Sequence, residues 1–325
     1  MAQERDIPFG ALKIFSVVAE SETLTNAAKK LGITQSAVSQ AIAQLEELTN
    51  TELVLRRLRP IQMTPSGQVM KMHADEMLDC SRRMLQRIAA TSSGDLSKLT
   101  IGAIDSFAGV AGPILIERLS EVAPHLALQT GLTMPLTEAL LERNLDILIS
   151  SDPLQSHPEY ECHPILRDPF VMVVAESFCD LDKPDADTLA NKVPFIRYSS
   201  QTRLGMLTDL VLRRMGLELE ARLEFDSTEA LLQNVQAGRG WAIMTSLCVL
   251  QNPSLHEGIR ILPLTNCANA RYINLLARKD ELGKTPERVA IICREVYAEI
   301  MLPGILEVMP WLQGEARAVT EAPLI

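Results

Sequence analysis

The sequence predicts three parts in order: an N-terminal all-α winged helix-turn-helix, a long linker helix, and a C-terminal α/β domain. Three observations predict them. Short apolar-periodic segments meet at Leu31-Gly32-Ile33-Thr34, as two helices joined by a glycine turn would. An apolar stripe of helical period then runs to about residue 90, with no Pro after Pro65 and no Gly after Gly67. From Leu96 onward strands and helices alternate, the pattern of a parallel sheet flanked by helices. The chain has 325 residues, 47% of them hydrophobic and only 4% aromatic, so aliphatic side chains must fill more than one core.

Residues 9–20 read as an amphipathic helix with Leu12, Phe15 and Ala19 on one face. Thr25 is the expected N-cap of a second helix over 26–31, and Gly32 its left-handed stop. Thr34 should cap a third helix reaching about Leu48, whose buried stripe is Ala37, Val38, Ala41, Ile42 and Leu45. Its other face carries Thr34, Gln35, Ser36, Ser39, Gln40 and Gln44, with no acid among them. Short hydroxyls permit close approach and amides match base edges, so this face suits a major groove; a solvated polar face is the alternative. The pair Glu46-Glu47 is expected on a solvated face. Residues 53–64 read as two short strands around a basic turn, whose Arg56, Arg57 and Arg59 suit phosphate or minor-groove contact, with a solvated hairpin tip as the alternative.

These residues carry a resemblance. The succession Leu12, Phe15, Val18-Ala19-Glu20-Ser21, Leu24-Thr25, Ala27-Ala28, Leu31, Thr34-Gln35-Ser36-Ala37-Val38-Ser39, Ile42 and Leu45-Glu46-Glu47 resembles the LysR-type signature. Leu53, Arg56 and Met63-Thr64-Pro65-Ser66-Gly67 extend it across residues 9–67. There are three departures from the pattern. Thr49-Asn50 stands where Leu-Gly is usual, and Asn tolerates the left-handed turn. Val54 replaces the usual Phe, which implies a smaller wing core or a compensating neighbour, and Gln40 occupies a site that is often basic.

The linker stripe comprises Val69, Met70, Met72, His73, Met77, Leu78, Met84, Leu85 and Ile88, an apolar face that should pair with another helix. The resemblance implies the same partner, a second copy, with assembly as a dimer of dimers. His73 is read as part of this face, not as a metal ligand.

In the α/β part, strands are expected at 99–104, 127–129, 146–149, 170–175, 194–196, 241–244 and 272–277, with helices at 107–122, 135–143, 203–215, 228–237 and 286–301. Residues 141–149, Asp168-Pro169-Phe170-Val171, Asp226-Ser227-Thr228 and Ala237-Gly238-Arg239-Gly240 in this order resemble the two-lobed, periplasmic-binding-protein-like effector domain of LysR-type regulators. Ligands in such sheets bind beyond the carboxyl ends of the strands, where helix N-termini offer free N–H groups. The candidates there are Ser106, Thr133, Ser151, Ser199, Ser200, Gln201, Thr202 and Thr245, each with an N-cap as its plainer role. A small anion is the candidate effector class. Arg197 is read as a structural ion pair, with a ligand carboxylate as the alternative.

The expected boundaries are 1–67 for the DNA-binding domain, 68–95 for linker and hinge, 96–303 for the effector domain and 304–325 for a C-terminal tail, in which residues 315–325 are expected to be poorly ordered. Partners are double-stranded DNA, the effector and a second copy, with RNA polymerase a further candidate. Net charge is −10, but residues 1–92 hold 11 basic and 10 acidic residues against 20 and 31 in the remainder, so the acidity sits away from the expected DNA contact. No nucleophile elbow, P-loop, zincin or dinucleotide motif occurs, so no catalytic residue, metal or cofactor is assigned. The six cysteines show no metal-ligand spacing and are expected to be free and mostly buried. No apolar run reaches bilayer length and the charged start lacks an apolar segment, so the expected compartment is the cytoplasm.

Overall fold

The computed structural model describes residues 6–56, 58–93, 98–151, 154, 157–178, 185–264 and 269–321, with backbone only at 83, 86, 87 and 89–93. It divides the chain into two units, Met1–Ala89 and Ala90–Ile325.

The first unit opens with α1 (Phe9–Ala19), α2 (Leu24–Leu31) and α3 (Gln35–Thr49). Thr23, not Thr25, caps α2: its hydroxyl accepts the Asn26 amide at 3.1 Å, so the helix starts two residues earlier than expected. Thr34 caps α3 through the Ala37 amide at 3.2 Å. Gly32 and Asn50 adopt left-handed φ of 68° and 49° and end the two helices. Leu12, Phe15, Val18, Ala27, Val38, Ile42 and Leu45 then interlock in one core, with Leu53 and Val54 beneath them. Val54 is fully buried, and Ile61 and Met63 pack against its cluster where a larger residue is missing.

The wing pairs β1 (Val54–Leu55) antiparallel with β2 (Gln62–Met63). Glu46 is not on a solvated face. One of its oxygens accepts the Leu53 and Val54 amides at 2.9 and 3.3 Å while the other pairs with Arg56, so α3 holds the wing. α4 (Pro65–Ser93) follows. Ser16 of α1 donates to Asp75 at 2.6 Å, and Lys71 donates to Glu20 at 3.0 Å, fastening the start of α4 to α1. A Cβ on Gly67 would stand 2.1 Å from the Leu53 carbonyl oxygen. Gly67→Ala should therefore cost this unit about 1–3 kcal/mol, visible as a lower first transition in calorimetry. An unchanged transition would mean that α4 is free to shift.

The second unit is a mixed ten-stranded sheet: the parallel pairing expected from the alternation holds within each lobe, and the strands that cross between lobes pair antiparallel. β3 (Leu99–Ile104) pairs in parallel with β4 (Leu126–Gly131) and β5 (Ile147–Ser150). α5 (Asp105–Leu119) and α6 (Thr133–Leu141) intervene. β6 (Tyr160–Ala175) is the long element, and α7 (Ala186–Lys192) follows it. β7 (Phe195–Tyr198) runs parallel to β8 (Ala221–Phe225) and β9 (Trp241–Thr245), separated by α8 (Arg203–Arg214) and α9 (Thr228–Gln236). Then come α10 (Ser246–Leu250), β10 (Ile259–Pro263) and β11 (Ala270–Arg278).

Two lobes arise because β6 changes partners. It pairs with β11 up to Pro169 and with β9 and β10 from Phe170 onward, all antiparallel. Pro164, unable to donate to a ladder, sits at a register shift opposite Asn274. β3–β5 make the first lobe and β7–β10 the second.

α11 (Thr285–Val296) passes through a π-helical turn, Tyr297–Met301, into α12 (Leu302–Val308). Pro303 has no N–H for the preceding turn, which accounts for the irregular step. Ile305, Met309, Leu312 and Ala316 are buried in the unit's core, and β12 (Arg317–Ala318) pairs with β6. Residues 304–319 are thus a packed part of this unit rather than a separate tail, and the expected loss of order at 315 does not occur before β12. Arg167, 5% exposed, explains the attachment by holding Glu315 through its carbonyl at 2.7 Å and its carboxylate at 2.6 Å. Among the described cysteines, Cys248 and Cys293 are buried but Cys80 and Cys162 are exposed, against the expectation of mostly buried thiols.

Candidate functional site

The exposed face of α3 presents Gln35, Ser36, Gln40 and Gln44, with Ser39 half-buried between them. Thr34 is spent on the cap and on a 2.9 Å contact with the Ser36 hydroxyl, so the amides and Ser39 remain for outside partners. Of the wing arginines, Arg56 is tied to Glu46, Arg57 lies outside the described residues, and Arg59 is exposed with no ion pair among them. Arg56 therefore positions the wing at least as much as it offers charge.

In the second unit a cavity of about 360 Å³ lies between the lobes. Ser106 comes from the first turn of α5 and Thr133 from the start of α6; Thr202 caps α8 and Ser227 caps α9. Four helix N-termini thus converge where strands β3, β4, β7 and β8 end, as the strand-end rule anticipates. The start of α8 is set close to the loop before it: a Cβ on Gly205 would stand 2.0 Å from the Ser199 carbonyl oxygen.

Of the eight candidates read from the sequence, Ser106, Thr133 and Thr202 line the cavity. The other five do not. Ser199 and Gln201 form the turn into α8, and Ser200 is exposed beside them. Thr245 is fully buried and donates to the Cys248 sulfur at 3.3 Å. Ser151 is buried, and its hydroxyl has no partner among the described residues. Arg197 pairs with Asp209 at 2.6 Å, the structural role.

Sequence reasoning missed Arg271. This side chain, 3% exposed, lines the cavity from β11. Its Nε donates to Asp168 at 2.8 Å and its Nη2 to Ser106 at 2.7 Å. The other Asp168 oxygen accepts the Ser246 hydroxyl at 2.6 Å and the Leu247 amide at 3.1 Å. Burial alone would lower the Arg271 pKa, but the adjacent Asp168 carboxylate raises it above the usual value, so the guanidinium stays charged. The pair lies one residue before β6 switches from β11 to β9. Nearby, burial pushes the Tyr198 phenol well above its ordinary pKa, and its hydroxyl meets Thr228 at 2.9 Å.

Residues 92–297 match the LysR substrate binding domain, and residues 9–68 match the bacterial regulatory helix-turn-helix of the lysR family. The chain belongs to the LysR family. Among curated relatives, the uncharacterized HTH-type transcriptional regulator YusT of Bacillus subtilis (strain 168) is 30% identical over 276 residues, covering 83% of this chain and 90% of that protein. The HTH-type transcriptional regulator BudR of Raoultella terrigena is 28% identical over 290 residues, covering 85% and 97%. The solved structure of full-length CbnR complexed with its target DNA superposes with a TM-score of 0.62 at 19% identity, covering 89% of this chain and 99% of that one. A C206 mutant of Corynebacterium glutamicum OxyR gives 0.57 at 22%, covering 94% and 97%; both likenesses show the shared fold. A LysR-type regulator is a DNA-binding transcription factor modulated by a small-molecule effector in its C-terminal domain, and this chain has both parts. No helix among the described residues is long and apolar enough to cross a membrane.

Proposed function

We propose that this LysR-type regulator reads its operator with Gln35, Ser36, Ser39, Gln40 and Gln44 of α3, anchors on phosphate through Arg59 and the wing, and takes its effector between the lobes. Thr34 and Arg56 then hold the reading helix and the wing in place. The observation that carries the DNA assignment is the amide- and hydroxyl-bearing face of α3 from Gln35 to Gln44, with no acid in that stretch, beside an exposed wing arginine. For the effector it is the cavity itself, with Ser106, Thr133, Thr202 and Arg271 in its wall. The working boundaries are the DNA-binding domain through residue 67, the α4 linker, and an effector domain extending to residue 321; the cytoplasm is the proposed compartment.

The deciding experiment is a gel shift against DNA flanking the chain's own gene, with competitor, at two salt concentrations. A competitor-resistant shift that weakens with salt supports the reading. Arg59→Ala should weaken specific and non-specific DNA alike and reduce the salt slope by about 1; an unchanged slope would remove the wing from the phosphates.

Self-association through α4 is part of the same proposal. Met77, Met84 and Ile88 follow one another at seven- and four-residue spacing and all are exposed, as are Val69, Met72 and Leu85. A helix with this face bare is expected to pair with its copy. Met84→Asp with Leu85→Asp should shift the species in light scattering toward smaller assemblies. An unchanged mass would place the contact elsewhere.

A further inference from the structure

The middle of the outward face of α3 is a narrow stripe. Ser36, Gln40 and Ala43 recur along it at four- and three-residue spacing, all exposed, opposite the buried Val38, Ala41, Ile42 and Leu45. Gln35 and Gln44 flank it. Of the three stripe residues, Gln40 alone carries a long polar side chain, and its amide has no partner among the described residues. The Ser36 hydroxyl is engaged with Thr34 at 2.9 Å. Glu47 comes next on the stripe, about 6 Å beyond Ala43 along the axis, and its charge sets the limit of the reading stretch. No Lys or Arg occurs anywhere in α3. The helix therefore brings no fork of two donors, which is what guanine O6 and N7 together accept.

We infer that Gln40 is the base-selecting residue of α3 and reads adenine, while the Ala43 methyl meets the thymine methyl of the neighbouring pair. This rests on α3 being the reading helix. The Gln40 amide oxygen accepts from the adenine N6 amine and its amide nitrogen donates to N7, so both ends of the group are satisfied by one base. Guanine presents two acceptors, and the amide oxygen would face one of them. Cytosine and thymine each present a single polar group, so one end of the amide stays unpaired. Gln40 and Ala43 are separated by about 4.5 Å along the helix axis. That is comparable with the rise of one base pair, about 3.4 Å, so the two residues meet adjacent pairs.

The full-length protein and its Gln40→Arg and Gln40→Ala variants are each used to select sites from randomised DNA. The position is exposed, so all three should unfold at the same temperature. The parent should enrich adenine at one position where Gln40→Arg enriches guanine and Gln40→Ala accepts any base, with the other positions unchanged. On the parent's selected site, 7-deazaadenine at that position removes the N7 acceptor. It should weaken the parent about tenfold and leave Gln40→Ala unaffected. Deoxyuridine in place of the adjacent thymine should weaken binding a few-fold; full affinity on that probe would remove the Ala43 contact. Identical selections by the parent and Gln40→Ala overturn the inference, and so does a parent preference for any base but adenine at the position that Gln40→Arg changes. The Ser39→Glu variant then separates the two readings. If it loses the parent's site, α3 stays in the groove and only the role of Gln40 falls; if it keeps that site, α3 is not the reading helix and both fall.

Discussion

Ser39→Glu is expected to reduce affinity for specific DNA by about 100-fold, or roughly 3 kcal/mol, while leaving thermal unfolding unchanged. Ser39 sits in the middle of the outward face of α3, between Gln35, Ser36 and Gln40, and is not part of the Phe15–Ile42 core. A glutamate there has room to turn outward, so the fold tolerates it. Against DNA it brings only acceptors to base edges, many of which are acceptors too, and a negative charge between two rows of phosphates. Ser39→Ala is the control: it removes a hydroxyl without adding charge and should cost far less. Binding by anisotropy at two salt concentrations separates the outcomes. Loss of specific binding with a persisting salt-dependent background would place α3 in the groove. If Ser39→Glu binds as well as the parent, this face of α3 does not meet DNA.

The helix-turn-helix was legible because its signals are local. Gly32 and Thr34 act within one or two residues of themselves, and both do what their chemistry requires in the structure. Even the miss at α2 is local: Thr23 and Thr25 offer the same hydroxyl, and only packing decides between them. Strands with continuous apolar runs, such as β3 and β9, were equally plain. β8 was not seen because exposed Arg222 and Glu224 alternate with half-buried Ala221, Leu223 and Phe225, as suits the edge of the sheet. The first half of β6 carries Glu161, His163 and Pro164, which read as loop until β11 is laid beside it. The cavity shows the same division. Ser106, Thr133 and Thr202 follow from the rule that ligands gather at strand ends. Arg271 follows from no local rule, because the partner that permits its burial, Asp168, is 103 residues away.

That pair yields the largest expected effect on stability. Asp168→Asn should cost the second unit about 3–5 kcal/mol, because it leaves a buried guanidinium without its counter-charge. The amide oxygen can still accept from Ser246 and Leu247, so the cost isolates the charge rather than the loss of those contacts. Arg271→Met alone should be milder, since an unpaired carboxylate keeps two donors where an unpaired guanidinium keeps only Ser106. The double variant Asp168→Asn with Arg271→Met should recover most of the loss, as removal of both members of a buried pair is often near neutral. Chemical denaturation of all four proteins closes the cycle. Additive losses would show that the two side chains act independently and that their contact matters little. Recovery would show a strong pairing that stability alone does not require. The double variant then becomes the informative protein: folded, with α3 and the wing unaltered, but without the Arg271 donor in the cavity wall. If its DNA binding no longer responds to effector, the pair is kept for ligand recognition at the point where β6 passes from one lobe to the other. If the response survives, Arg271 holds the lobes in register and the effector is read by other residues.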